Sequence, residues 1–207
     1  MNHARKTVRG RAAAVALAAA AALVLTSCSG GEGDNLASQW QEASDKGYIA
    51  GDGSTASIPI AERGKPVVYS GVDEYGKTFG SDDTIGTVTV VNFWYAGCAP
   101  CRAEAPMLSS LDAAYSDDEV RFVGVNVRDG ADQAIQFAEQ FSITYPSIMD
   151  NASQRAVQLA FAGQIPLNAV PTTLVLDREG RVAHRILGQI ADESILRTLV
   201  TETLAES

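Results

Sequence analysis

Cysteine is scarce in this chain: three in 207 residues, at positions 28, 98 and 101. Histidine is scarcer still, at positions 3 and 184. A structural zinc site takes four ligands, usually two C-x2-C pairs or one such pair with two histidines. The second set is missing, so no metal site is expected. So few cysteines also exclude a small scaffold stapled by several disulfides. Long apolar runs are nearly absent. Beyond residue 25 nothing approaches the ~20 apolar residues that span a bilayer, and the sequence shows no internal repeat. Positive charge is in the minority, with 16 Lys and Arg against 25 Asp and Glu for a net charge of −9. Such a balance argues against nucleic acid or anionic lipid headgroups as partners.

What is present begins with a basic head, Arg5, Lys6, Arg9 and Arg11, free of acidic residues. The 14-residue apolar stretch Ala12 to Leu25 follows. It has the length of a signal-peptide core and is too short to cross a bilayer. Small residues then lead into Cys28, and Leu25-Thr26-Ser27-Cys28 resembles the bacterial lipobox. That resemblance implies a leader over residues 1–27. Cys28 then becomes the lipidated first mature residue, held at the extracytoplasmic face of the cell membrane. A plain signal peptide with a chance cysteine and an uncleaved anchor are the alternatives. Without residues 1–27 the chain keeps 180 residues, 12 basic and 25 acidic, for a net charge of −13. Outside the cytoplasm a disulfide persists, and with Cys28 lipidated only Cys98 and Cys101 are left to pair.

Residues 28–57 are rich in Gly, Ser, Asp and Glu, sustain no apolar period, and read as a flexible tether. A domain over 58–207 follows. Val67 to Tyr69 and Lys77 to Phe79 flank a turn near Gly76, as in a hairpin. Thr87 to Trp94 is an apolar, β-branched run suited to a buried strand, and Val120 to Val127 is a second. Ala99 to Ser116, Ala131 to Phe141 and Ser153 to Phe161 have helical spacing. Thr172 to Asp177 and Val182 to Leu187 read as strands joined by a turn, and Ile195 to Leu204 as a closing helix. Strands alternating with helices predict an α/β sheet covered on both faces.

The chemistry lies in VVNFWYAGCAPCRAEAP, residues 90–106. A cysteine at a helix N-terminus sits where free N–H groups and the helix dipole favour a thiolate. Cys98 is therefore expected to be exposed and to attack. Cys101, one turn on, is expected to be sheltered and to close the intramolecular bond. Pro100 costs nothing in a first turn. A purely structural disulfide closing so short a loop constrains the unfolded chain only weakly, which favours a redox couple.

This segment resembles the active site of the thioredoxin fold, above all its extracytoplasmic, membrane-tethered TlpA/ResA group. Pro106 is similar in position to the proline that kinks the thioredoxin active-site helix. Ala169-Val170-Pro171-Thr172-Thr173 resembles the cis-proline loop, and FSITYPSIMD (141–150) with the helix before it resembles the group's insertion. Asp177-Arg-Glu-Gly180 resembles its last turn. The resemblance implies a central mixed β-sheet flanked by helices, an N-terminal β-hairpin and an inserted helix between central strands. It also implies that Pro171 is cis, that Val170 and Thr172 offer edge-strand backbone to an extended substrate, and that Trp94 packs beside the site.

Four positions depart from the pattern or stay open. Asn92 stands where thioredoxin has a buried aspartate, so a carboxylate base is missing there. Glu104, on the same helical face as Cys101, is a candidate for that role, with an ordinary surface glutamate as the alternative. Gly97 replaces a common tryptophan, which implies a more open face around Cys98. Arg102 supports the thiolate or is simply solvated.

The Ala-Pro dipeptide supplies no charge to stabilise a Cys98 thiolate, which points away from a strong oxidant. The expected activity is a thiol-disulfide oxidoreductase without a cofactor, acting as a reductase. Resemblance implies the heme-site cysteines of apocytochrome c, or another specific disulfide, as substrate. It implies an integral-membrane electron donor of CcdA/DsbD type as partner. An oxidase or isomerase of secreted proteins, and a non-catalytic lipid-anchored assembly factor, are the rival readings.

Overall fold

The computed structural model describes residues 52–115, 119–151, 155–166 and 169–206. Cys28, the leader 1–27 and residues 28–51 lie outside these. Eight strands and four α-helices follow in chain order: β1 (Asp52–Ser57), β2 (Ser70–Val72), β3 (Thr78–Gly80), β4 (Val88–Trp94), α1 (Ala99–Ala114), β5 (Val120–Asn126), α2 (Ala131–Phe141), β6 (Ser147–Met149), α3 (Ala156–Ala160), β7 (Thr172–Leu176), β8 (Val182–Gly188) and α4 (Glu193–Leu204). Six strands form one mixed sheet in the order β1-β8-β7-β4-β5-β6, and β2 with β3 form a separate hairpin. β4 runs parallel to β5, and β5 to β6, while β7 and β8 run antiparallel to their neighbours.

β4 is buried along its whole length because both faces are covered. Its side chains alternate between two cores. Val88 and Val90 face α1 and α4, among Leu108, Leu111, Leu196 and Val200. Val91 and Phe93 face the other way, against Tyr69, Val157 and Phe161. Asn92 shares the parity of Val88 and Val90, which aims it at α1. A fully buried Phe93 contributes about 2–3 kcal/mol through burial alone.

Register brings the functional end of the sheet together. Phe93 pairs with Thr172, Thr172 with Leu187, and Asp52 with Gly188. The C-terminal end of β4, the N-terminal end of β7, the C-terminal end of β8 and the start of β1 therefore share one edge.

β1 corrects the reading of residues 28–57 as tether throughout. Asp52–Ser57 pair with β8 through backbone groups, so side-chain polarity did not matter, and Ile58 N–H continues the pairing to Ala183 O at 2.8 Å. The hairpin also differs in its first arm, which begins at Ser70, because Tyr69 is drawn into the core against Phe161. Gly76, at φ 83°, makes the turn, and Asp73 Oδ1 accepts N–H from Tyr75 and Lys77 across it. The hairpin tip docks on β6, where Glu74 Oε2 accepts the Ser147 N–H at 2.8 Å. Among the described residues no helix is long and apolar enough to cross a membrane.

Candidate active site

β4 ends at Trp94, and after a turn in which Cys98 N–H meets Tyr95 O at 3.1 Å, Cys98 becomes the N-cap of α1. Its sulfur accepts the Cys101 N–H at 3.2 Å. Cys98 and Cys101 are joined by a disulfide, with Cα atoms 5.2 Å apart. Pro100 occupies the first turn of α1, and Pro106 lies within a helix that continues past it.

The expected contrast in exposure is not found: Cys98 and Cys101 are each 2 % exposed. The face that Gly97 leaves bare is covered by other residues. Tyr95, Trp94 and Val170 form one apolar cluster with both cysteines, so the surroundings of Cys98 are closed by Tyr95 rather than left open. Trp94 packs as expected, its ring 4.2 Å from Phe137 of α2 and its N–H 3.2 Å from Ser147 Oγ.

The Val170–Pro171 peptide is cis, and Val170 is buried against the couple. Thr172 does not offer edge backbone. It is paired with Phe93 on one side and Leu187 on the other, because β7 is an inner strand. Pro171 O is taken by Gly188 N–H at 2.9 Å. Any strand-like pairing with a substrate therefore falls to Val170 alone.

Glu104 is not a surface residue but wholly buried. Its Oε1 accepts from Asn92 Nδ2 at 2.9 Å and its Oε2 from Ile190 N–H at 3.1 Å. Burial disfavours the charged form and pushes the carboxyl up to about 7, while the hydrogen bonds from Ile190 and Asn92 pull the other way. Desolvation wins. Asn92 thus acts as a donor to the carboxylate, with its other contact at Thr173 Oγ1, 3.0 Å away.

Arg102 is engaged with protein rather than simply solvated. Its guanidinium lies over Phe141 at 5.1 Å and donates to Ala96 O at 3.4 Å and Gln140 Oε1 at 3.1 Å. Two contributors escaped the sequence reading. Tyr95 was an unmarked neighbour of the motif. Asp129, from the loop after β5, accepts the Ala96 N–H on Oδ2 at 2.5 Å, and nothing in the sequence marked it. His184 lies away from the couple, its Nδ1 2.9 Å from Ser57 Oγ of β1.

A mixed sheet flanked by helices, with a disulfide where a central strand passes into a helix, defines a thioredoxin-like thiol-disulfide oxidoreductase. The chain belongs to the Redoxin family, whose pattern matches residues 54–200. It is 32 % identical over 127 residues to the thiol-disulfide oxidoreductase ResA of Geobacillus thermodenitrificans, covering 61 % of this chain and 70 % of that one. It is 33 % identical over 115 residues to the thiol:disulfide interchange protein HelX of Rhodobacter capsulatus, covering 55 % of this chain and 60 % of the other. Among solved structures, a DsbF homologue from Corynebacterium diphtheriae superposes with a TM-score of 0.65 at 31 % identity, covering 73 % of this chain and 94 % of that one. A secreted thiol-disulfide isomerase from Corynebacterium glutamicum gives 0.62 at 28 % identity, covering 72 % and 94 %.

Proposed function

We propose that the protein is an extracytoplasmic, lipid-anchored reductase of a specific disulfide, with the heme-site cysteines of apocytochrome c as substrate. The observation that carries the reductase reading is the Ala99-Pro100 pair between the cysteines, which supplies no charge to stabilise a Cys98 thiolate, while the buried Glu104, held by Asn92 and Ile190, supplies the proton relay that such a couple needs. Likeness to ResA and HelX supports the assignment. The lipobox-like segment ending at Cys28 supports the anchor.

In the reduced protein the Cys98 thiolate attacks a substrate disulfide. That bond breaks, one substrate sulfur leaves as a thiolate that takes up a proton, and a mixed disulfide to Cys98 forms. Cys101 then passes its proton to Glu104 and attacks the Cys98 sulfur. The mixed disulfide breaks, the second substrate thiol departs, and the Cys98–Cys101 bond re-forms. Two electrons have moved to the substrate. A carboxyl near 7 both accepts and returns a proton at neutral pH. An integral-membrane donor of CcdA/DsbD type restores the dithiol. Val170, beside the buried couple, presents backbone to the substrate chain, while Trp94, Pro100 and Pro171 shape the surface around it.

Three measurements test this reading. A midpoint potential near the roughly −270 mV of thioredoxin supports a reductase, and one near the roughly −120 mV of strong oxidants overturns it. Cys101→Ala should trap a heme-site peptide as a mixed disulfide that Cys98→Ser cannot form. For the anchor, radiolabelled palmitate should enter the wild-type protein and not Cys28→Ser. The likeness to a secreted isomerase favours a second reading, disulfide isomerisation, which scrambled-substrate refolding would reveal.

A further inference from the structure

The loop after β5 is braced internally and bonded at two points to the end of β4 and the active-site turn. Asn126 is wholly buried, and its Oδ1 accepts N–H from Arg128 at 3.0 Å and Asp129 at 2.7 Å. Its Nδ2 donates to Asp129 Oδ2 at 2.9 Å. Val127 N–H reaches Trp94 O at 3.1 Å. This scaffold presents the Asp129 carboxylate, 9 % exposed, to the Ala96 N–H at 2.5 Å. Ala96 lies two residues before Cys98, so the chain path keeps the carboxylate within about 10 Å of the Cys98 backbone.

We infer that Asp129 is a positioning residue that tunes the couple: its hydrogen bond fixes the turn carrying Cys98, and its charge disfavours the Cys98 thiolate, making the dithiol a stronger reductant. The thiolate exists only in the reduced protein, so a nearby negative charge weighs on that state and not on the disulfide. Other charges also face this turn. Arg102 meets Ala96 O and Arg128 covers the Tyr95 ring at 4.0 Å, both favouring the thiolate, while Glu104 lies beneath on α1. Asp129→Asn leaves all three in place and retains an oxygen for the Ala96 N–H, so its effect isolates the carboxylate charge. The inference deepens the reductase reading but rests only on the dithiol–disulfide couple. The wild-type potential tests direction, whereas the shift between variants tests Asp129.

The experiment equilibrates full-length wild type and Asp129→Asn with glutathione over a pH series that spans the titration of the Cys98 thiol. Two glutathione thiols supply two electrons and two protons, cleave the Cys98–Cys101 bond and leave as glutathione disulfide. One charge at roughly 10 Å in an effective dielectric of about 20 is expected to move the equilibrium about tenfold toward the dithiol once Cys98 is ionised. That is about 30 mV upward. The Cys98 thiolate of each reduced variant is followed by its ultraviolet absorbance over the same pH range, and where it is absent the variants should agree within twofold. No shift where Cys98 is ionised, or the same shift above and below its titration, overturns the inference, since a merely structural effect ignores ionisation. Should Asp129→Asn fail to fold, Asp129→Ser, which keeps a hydroxyl acceptor, is read by the same criterion.

Discussion

Asn92 donates its amide hydrogen to Glu104 across the interface between β4 and α1, with Nδ2 2.9 Å from Oε1. The strand residue is a donor and the helix residue the acid, so a single carboxyl, three residues beyond Cys101 in α1, has a dedicated partner. A second carboxylate at position 92 would have set two like charges against each other.

The first prediction concerns that pair. Asn92→Ala removes a bond that favours ionised Glu104 and should push its carboxyl further above about 7. A carbon-13 NMR titration of the Glu104 side chain checks this. An unmoved titration would mean that burial and Ile190 alone set its proton affinity.

Glu104 also makes stability depend on pH. Its folded affinity for a proton, about 7, exceeds its ordinary value of 4.5. The favourable contribution of the neutral form is therefore complete below about pH 4.5 and is lost as pH rises through about 7. The loss is of order 3 kcal/mol. Urea midpoints of the oxidised protein should fall over this range in wild type, and Glu104→Gln should flatten the decline.

Ser147 holds two layers at once. Its N–H goes to Glu74 of the hairpin and its Oγ receives the Trp94 N–H. Ser147→Ala leaves that buried indole N–H without an acceptor, at a cost of about 1–3 kcal/mol. Chemical denaturation measures it. A loss well under 1 kcal/mol would show the bond to be dispensable.

Arg63 is the remaining target. Its guanidinium, with a side chain 2 % exposed, meets Asp177 at 2.9 Å and Glu206 at 2.6 Å, joining the segment after β1 to the turn before β8 and the end of α4. Arg63→Met removes one of the two cationic partners of the buried Asp177 carboxylate and should cost about 1–3 kcal/mol in urea denaturation. Asp177 keeps Arg181 at 2.8 Å, so adding Arg181→Met to Arg63→Met, which leaves the carboxylate without a cation, should deepen the loss beyond that of either single variant.

The sequence made the central strands and the long helices legible because periodicity reports burial directly. Ala131–Phe141 matches its helix end to end, and Val88–Trp94 its strand to one residue. β1 was invisible because DGSTAS is joined to the sheet by backbone alone, and β6 because three residues carry no period. The Cys98–Cys101 pair was plain from its spacing, and Glu104 from its place on the helix. The burial of Glu104 was not, since it depends on Ile190, 86 residues away. Asp129 was out of reach for the same reason, as its partner Ala96 lies 33 residues back.

The placement of β1 has a consequence for any leash that arrives at Asp52. Asp52 pairs with Gly188, whose N–H is bound to the carbonyl of Pro171, at the end of the sheet where β4 delivers Cys98. The chain thus enters at the same end of the sheet as its reactive disulfide, three strands across from β4, and travels away from that end along β1. The far end of the sheet carries the Asp177–Gly180 turn. Tension arriving through Asp52 would therefore load the disulfide's own end of the sheet, and the backbone pairing of β1 with β8 would bear it.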